Sequence, residues 1–110
     1  MKVELHIVPP GGGDVEFALE MEMPAVPRVG EYVMLSVPAH GAGTFRVLYV
    51  THLIETAWGE NQFRDPRYLV PVVQIEPIQY ADGRGPANLD YYFEDSRYRD
   101  RVQRYPDSGA

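Results

Sequence analysis

Cysteine is absent from the 110 residues. Disulfides, thiolate metal sites, Fe–S ligation and a cysteine nucleophile are excluded together. Long apolar runs are missing too, and none approaches the roughly 20 residues that span a bilayer as a helix. The start, Met1-Lys2-Val3-Glu4-Leu5-His6, breaks its apolar residues with Glu4 and His6 before Pro9-Pro10, so no signal-peptide core is read there. Positive charge is scarce: 10 Lys+Arg stand against 16 Asp+Glu, a net charge of −6. That balance disfavours nucleic-acid phosphates and anionic membranes as partners. The expectation is a soluble, cytoplasmic protein. What is present is 45% hydrophobic and 12% aromatic residues, enough for the single core that a chain of this length builds.

Composition divides the chain near Ile78. Residues 1–78 carry five basic and ten acidic side chains, and residues 79–110 carry five arginines, six acids and five of the eight tyrosines. The expected organisation is a β domain over 1–78 and a Tyr/Arg-rich C-terminal extension over 79–110. Val3, Leu5 and Ile7 alternate with Lys2, Glu4 and His6, and Val15, Phe17, Leu19 and Met21 alternate with Glu16, Glu20 and Glu22. With Pro9-Pro10-Gly11-Gly12-Gly13 between them, the two segments predict an antiparallel hairpin with one apolar and one acidic face. Two prolines make residues 23–30 an extended connection. A third strand follows over 31–37, with both faces partly apolar. His40-Gly41-Ala42-Gly43 reads as a reversal, and Phe45 to Thr56 as one long bent strand.

Gly59 and Pro66 interrupt residues 58–68, which therefore read as a long loop. Leu69 to Ile78 resumes strand character, with Pro71 and Pro77 predicting an edge or bulged strand. Five strands with short turns and no helical crossover predict a mainly β fold, a small five-stranded antiparallel barrel. For the extension two readings stand: a helix capped by Asn88 or Asp90 with a stripe of Tyr91, Asp95, Tyr98, Val102 and Tyr105, or a disordered terminus.

Pro27-Arg28-Val29-Gly30-Glu31 opening one strand, followed by the strand Phe45-Arg46-Val47-Leu48-Tyr49-Val50-Thr51-His52, resembles a pattern in small uncharacterised bacterial and phage proteins. The resemblance covers residues 1–56. It implies a short SH3-like β-barrel and carries over no activity.

Candidate chemistry is sparse. His6, His40 and His52 fall at no metal-ligand spacing, so they read as surface or hydrogen-bonded side chains. Ser36, Ser96 and Ser108 occupy no nucleophile elbow, and Gly11-Gly12-Gly13 lacks the Lys-Ser/Thr of a phosphate loop. Glu16, Glu20 and Glu22 could serve a small hydrolase only within a cleft, and a solvated hairpin face explains them more simply. No catalytic, cofactor or metal residue is assigned, and the chain is not expected to be an enzyme.

Interface chemistry is better represented. In an up-and-down order the 24–30 connection and the 58–68 segment emerge at one end and gather Arg28, Trp58, Phe63, Arg64, Arg67 and Tyr68, residue types that dominate protein interfaces. The plainer alternative has Trp58 and Phe63 plugging the barrel end. Tyr91, Tyr98 and Tyr105 extend the candidate surface. The leading expectation is a non-enzymatic module that binds a protein partner or itself, a homodimer included. The alternative is single-stranded nucleic-acid binding through 58–68, with the aromatics stacking on bases.

Overall fold

In a computed structural model that describes residues 1–37, 41–80, 85–86 and 89–105, the chain is mainly β. Strands β1 (Lys2–Ile7), β2 (Phe17–Glu22), β3 (Tyr32–Val37), β4 (Gly41–Gly59) and β5 (Gln62–Pro77) form one sheet in the order β2-β1-β5-β4-β3. The first hairpin forms as its alternation demands, with Val3 opposite Met21, Leu5 opposite Leu19 and Ile7 opposite Phe17.

The sheet is mixed, not antiparallel throughout. β1 runs parallel to β5, Glu4 to Ile7 lying beside Val72 to Ile75. A parallel neighbour needs a crossover, and here β2, β3 and β4 together supply it without a helix. This placement makes β5 a central strand, where Pro71 and Pro77 had predicted an edge. The two prolines flank the four residues that pair on both sides, so neither removes a donor from the doubly paired stretch. β2 and β3 are the edges, and the sheet curls into a half-barrel.

The core sits in the concave side of the curl. Val3, Leu5, Ile7, Phe45, Val47, Val73 and Ile75 are buried there, with Met23, Val26, Val33, Leu35 and Val50 packed against them. β3 is covered on that side only, since Met34 on its other face is exposed.

The extension caps the half-barrel at the end where β1 and β5 finish. It contributes β6 (Gln79–Tyr80), a short helix α1 (Leu89–Glu94), a 3-10 turn (Arg99–Arg101) and β7 (Arg104–Tyr105), with β6 and β7 paired in parallel. The expected long helix is therefore cut to six residues. Leu89 and Tyr92 are its buried side chains, one position off the expected stripe, and Tyr91 faces outward. Asp95 ends the helix by turning to Arg97, whose backbone and side chain both donate to it; those donors hold the Asp95 carboxyl below its ordinary value. Asn88, one of the two expected caps, lies outside the described residues.

Beneath this cap Glu76 is buried and accepts the Gly11 N–H at 2.7 Å. Gly43 lies hard against the cap. A Cβ there would lie 2.7 Å from Pro86 Cγ, so only glycine lets residues 85–86 lie against β4.

Candidate functional site

Beyond the body, β4 and β5 continue as a two-stranded arm over residues 51–70, all but a few of whose side chains are exposed. The 58–68 segment is thus no loop. Gly59 pairs with Gln62, and the two-residue turn between them places Glu60 (φ 51°) and Asn61 (φ 63°) in the left-handed region. That is the backbone of a type I′ hairpin turn, whose twist matches the flanking strands. Asp65 (φ 50°) takes the same region, in a register shift where the four β5 residues Arg64 to Arg67 lie opposite the three β4 residues Glu55 to Ala57. This bulge accommodates Pro66. Gly41 to Gly43 likewise belong to β4 and not to a reversal; His40 lies outside the described residues.

Register shows which side chains share a face. A shift between Val47 and Tyr49 returns Val50 to the core side opposite Val73. From there His52, Ile54, Thr56 and Trp58 follow at alternate positions, opposite Pro71, Tyr68 and Phe63. The concave side of the body therefore runs out along the arm as an apolar strip. Trp58 and Phe63 form a cross-strand pair with ring centroids 5.1 Å apart at 72°, an edge-to-face contact. His52 Nδ1 lies 3.1 Å from the Tyr68 hydroxyl, and the Thr56 hydroxyl donates to the Arg64 carbonyl at 2.7 Å. The strip is open: Ile54 is 54%, Trp58 66%, Phe63 73% and Tyr68 48% exposed. Trp58 and Phe63 plug nothing.

The opposite face of the arm exposes Leu53 at its root and is charged beyond it. Arg67 pairs with Glu55 at 2.9 Å and Arg64 with Glu60 at 2.5 Å. Both arginines therefore sit back to back with the aromatics. Arg28 stands apart from them. Its turn docks beside Val47, through Gly30 N–H to Val47 O and Val47 N–H to Glu31 O at 2.9 Å each. Eight residue steps along the strand separate Val47 from Glu55, on the order of 25 Å. The 23–31 connection does lie at the arm end of the sheet, but at the arm's root.

The tyrosines of the extension are not gathered with the arm. Tyr91 and Tyr98 both meet the buried Tyr92 ring edge-on at 5.5 Å, and the Arg97 guanidinium lies 5.1 Å over Tyr98. Tyr105 belongs to β7, and its side chain lies outside the described residues. Tyr91 borders a shallow depression of about 410 Å³ with Glu94, Asp95 and Ser96.

Sequence reasoning missed Ile54 and His52, although the alternation that reveals them continues unbroken to Trp58. It also missed the open side of β2. Phe17, Leu19 and Met21 lie on the core side of the sheet, yet are 59%, 42% and 41% exposed. The acids of β2 lie on the other face: Glu20 holds Lys2 at 2.9 Å and Glu22 holds the N-terminal amine at 3.2 Å. The Glu20 carboxylate raises the Lys2 ammonium above its ordinary value.

Among the described residues no group of three or more His, Asp or Glu side chains could hold a metal ion, and no helix is long and apolar enough to cross a membrane. No protein-family model matches this chain, and no curated protein or solved structure matches it significantly.

Proposed function

We propose that this chain is a cytoplasmic, non-enzymatic interaction module that docks through the apolar face of its arm. One observation carries the reading: Ile54, Trp58, Phe63 and Tyr68 form an uncharged strip on a ribbon that has no packing of its own. An isolated two-stranded hairpin is marginal in water. With aromatic side chains covering 150–250 Å² each, the strip offers roughly 500 Å², the size of the largest apolar patch on a typical monomer, which is often a functional surface. The reading keeps the SH3-like kinship implied by the resemblance over residues 1–56 as its fold proposal.

Single-strand nucleic-acid binding has less support. The stacking residues are present, but Arg64 and Arg67 point away from them and are held by acids. A phosphate backbone tracking the aromatics would meet no arginine there.

The test is comparative purification from cells expressing the tagged full chain or its Trp58→Ser/Phe63→Ser variant. A stoichiometric companion, another protein or a further copy of the chain, is expected with the first and lost with the second. Identical companions in both preparations, or none in either, would sink the docking reading.

A further inference from the structure

We infer that the free edge of β2 is a strand-addition site, and that it takes an extended segment of another protein in which Lys or Arg alternates with apolar residues. The inference concerns a surface separate from the arm and goes beyond the docking reading above.

The ladder fixes which backbone groups are free. The Met23 N–H donates to the Met1 carbonyl at 2.8 Å, and the N-terminal amine donates to the Met23 carbonyl at 2.8 Å, so Met1 and Met23 form a doubly bonded antiparallel pair. Such pairs recur at every second residue, which makes Val3 with Met21 and Leu5 with Leu19 the next two. The intervening residues of β1 turn their backbone groups to β5, as the Val8 N–H does in donating to the Ile75 carbonyl at 3.0 Å. The intervening residues of β2, Ala18, Glu20 and Glu22, turn theirs outward, where β2 is the last strand of the sheet. An N–H and a C=O at every second residue are the template on which an extended chain pairs.

Side chains decide which segment fits. On the concave side Met23 and Val26 pack over the core at one end of the mouth, and Met21, Leu19 and Phe17 beyond them stay open. The other edge differs, since Val33 and Leu35 of β3 pack against the core. A strand added beside β2 lays every second side chain along Phe17, Leu19 and Met21, so those side chains are apolar. Its remaining side chains lie beside Ala18, Glu20 and Glu22.

That second face selects by sign. Glu4 stands directly opposite Glu20, a like-charged cross-strand pair. Glu20 and Glu22 are held only from the inner side, by Lys2 at 2.9 Å and the N-terminal amine at 3.2 Å, and remain 58% and 77% exposed. A Lys or Arg on the added strand reaches them from the outer side, whereas an acid there meets like charge. Edge strands are commonly blunted by inward-pointing charges, proline or a lysine. Here the inward side chains are Phe17, Leu19 and Met21 and the outer charges are acids, so the edge repels an acidic strand and admits a basic one. The net charge of −6 steers the same kind of segment toward the chain.

Titration of the full chain with a blocked peptide of about eight residues alternating Val and Lys, followed by NMR, tests this. Slower hydrogen exchange is expected at the Ala18, Glu20 and Glu22 amides, with the Met34 and Ser36 amides of β3 unchanged. Affinity is expected about tenfold above that for a Val/Glu peptide of the same pattern. Ala18→Pro keeps every charge and removes one outward N–H, a change that an edge strand tolerates. It is expected to unfold cooperatively and to bind the Val/Lys peptide about tenfold more weakly. Glu20→Lys/Glu22→Lys keeps the backbone and is expected to prefer the Val/Glu peptide, which decides the matter should the proline variant fail to fold. The arm variant Trp58→Ser/Phe63→Ser is expected to bind as the wild type does. No binding by the wild type, equal affinity for the two peptides, or full binding by a folded Ala18→Pro would overturn the inference. So would an unchanged preference in the charge-swapped variant, or loss of binding in the arm variant, which would put the peptide on the arm.

Discussion

At the scale of single residues, stability concentrates in few positions. Leu5 is fully buried at the centre of the concave core, where truncation leaves a cavity in a curl that cannot close over it. Leu5→Ala is expected to cost about 2–5 kcal/mol, read from the midpoint of urea unfolding. Glu76 works in the opposite sense. Burial pushes its carboxyl above the ordinary value, more strongly than the Gly11 N–H and the Arg46 charge pull it down. A group whose proton is held more tightly folded than unfolded favours folding at low pH, and that contribution is lost as pH rises through the folded value. Glu76→Gln keeps an oxygen for the Gly11 N–H without the buried charge. The variant is expected to gain stability relative to wild type as pH rises from about 4 to 7, the range above the ordinary carboxyl value. Parallel stability curves across that range in thermal unfolding would contradict it.

Among elements, the arm is the one whose local sequence leaves most room for improvement. Its turn asks Glu60 and Asn61 to adopt left-handed backbone, and glutamate at such a position is strained. Glu60→Asn/Asn61→Gly supplies the residue pair that type I′ turns prefer. It is expected to stabilise the hairpin by about 0.5–1 kcal/mol, seen as slower hydrogen exchange of the arm amides, with the body amides unchanged. The lost Glu60–Arg64 pair is exposed and contributes little. β4 and β5 illustrate why an element differs from its pattern: the bulges re-aim side chains, so the apolar face survives three register shifts along β4.

For the whole molecule, shape separates two parts that depend differently on each other. The radius of gyration is 16.5 Å and the extents are 56 × 31 × 27 Å, against about 13 Å for a compact domain of this length. The excess is consistent with an arm that contributes nothing to the concave core. Replacing residues 54–69 by an Asn-Gly turn between the paired Leu53 and Val70 is therefore expected to leave a body that unfolds within a few degrees of the full chain. Small-angle scattering should give about 12–13 Å for it. A body that fails to fold would show that the arm supports the sheet.

Much of the body was legible in the amino-acid order. Side-chain alternation places the first hairpin and the third strand nearly to the residue, because a period of two with charge on one side has a single low-energy solution against a core. The arm was hidden because Gly59 and Pro66 carry the signals of a loop; Gly59 sits paired beside a tight turn, and Pro66 lies in a bulge on either side of which the pairing continues. The helix of the extension was misjudged because helix length was decided by Leu89 and Tyr92 packing on the cap and by Asp95 turning to Arg97, contacts that no periodicity encodes.

By itself, then, the order of residues determined most of the strands, their apolar sides and the aromatic character of Trp58, Phe63 and Tyr68, since these follow from local alternation and side-chain type. Only the tertiary structure decided that β5 lies parallel to β1 at the centre of the sheet, that the curl stays open along β2, and that arginines and aromatics part to opposite faces of the arm. Each depends on which distant strands pair and in what register, and that choice is made by burial of the assembled sheet as a whole.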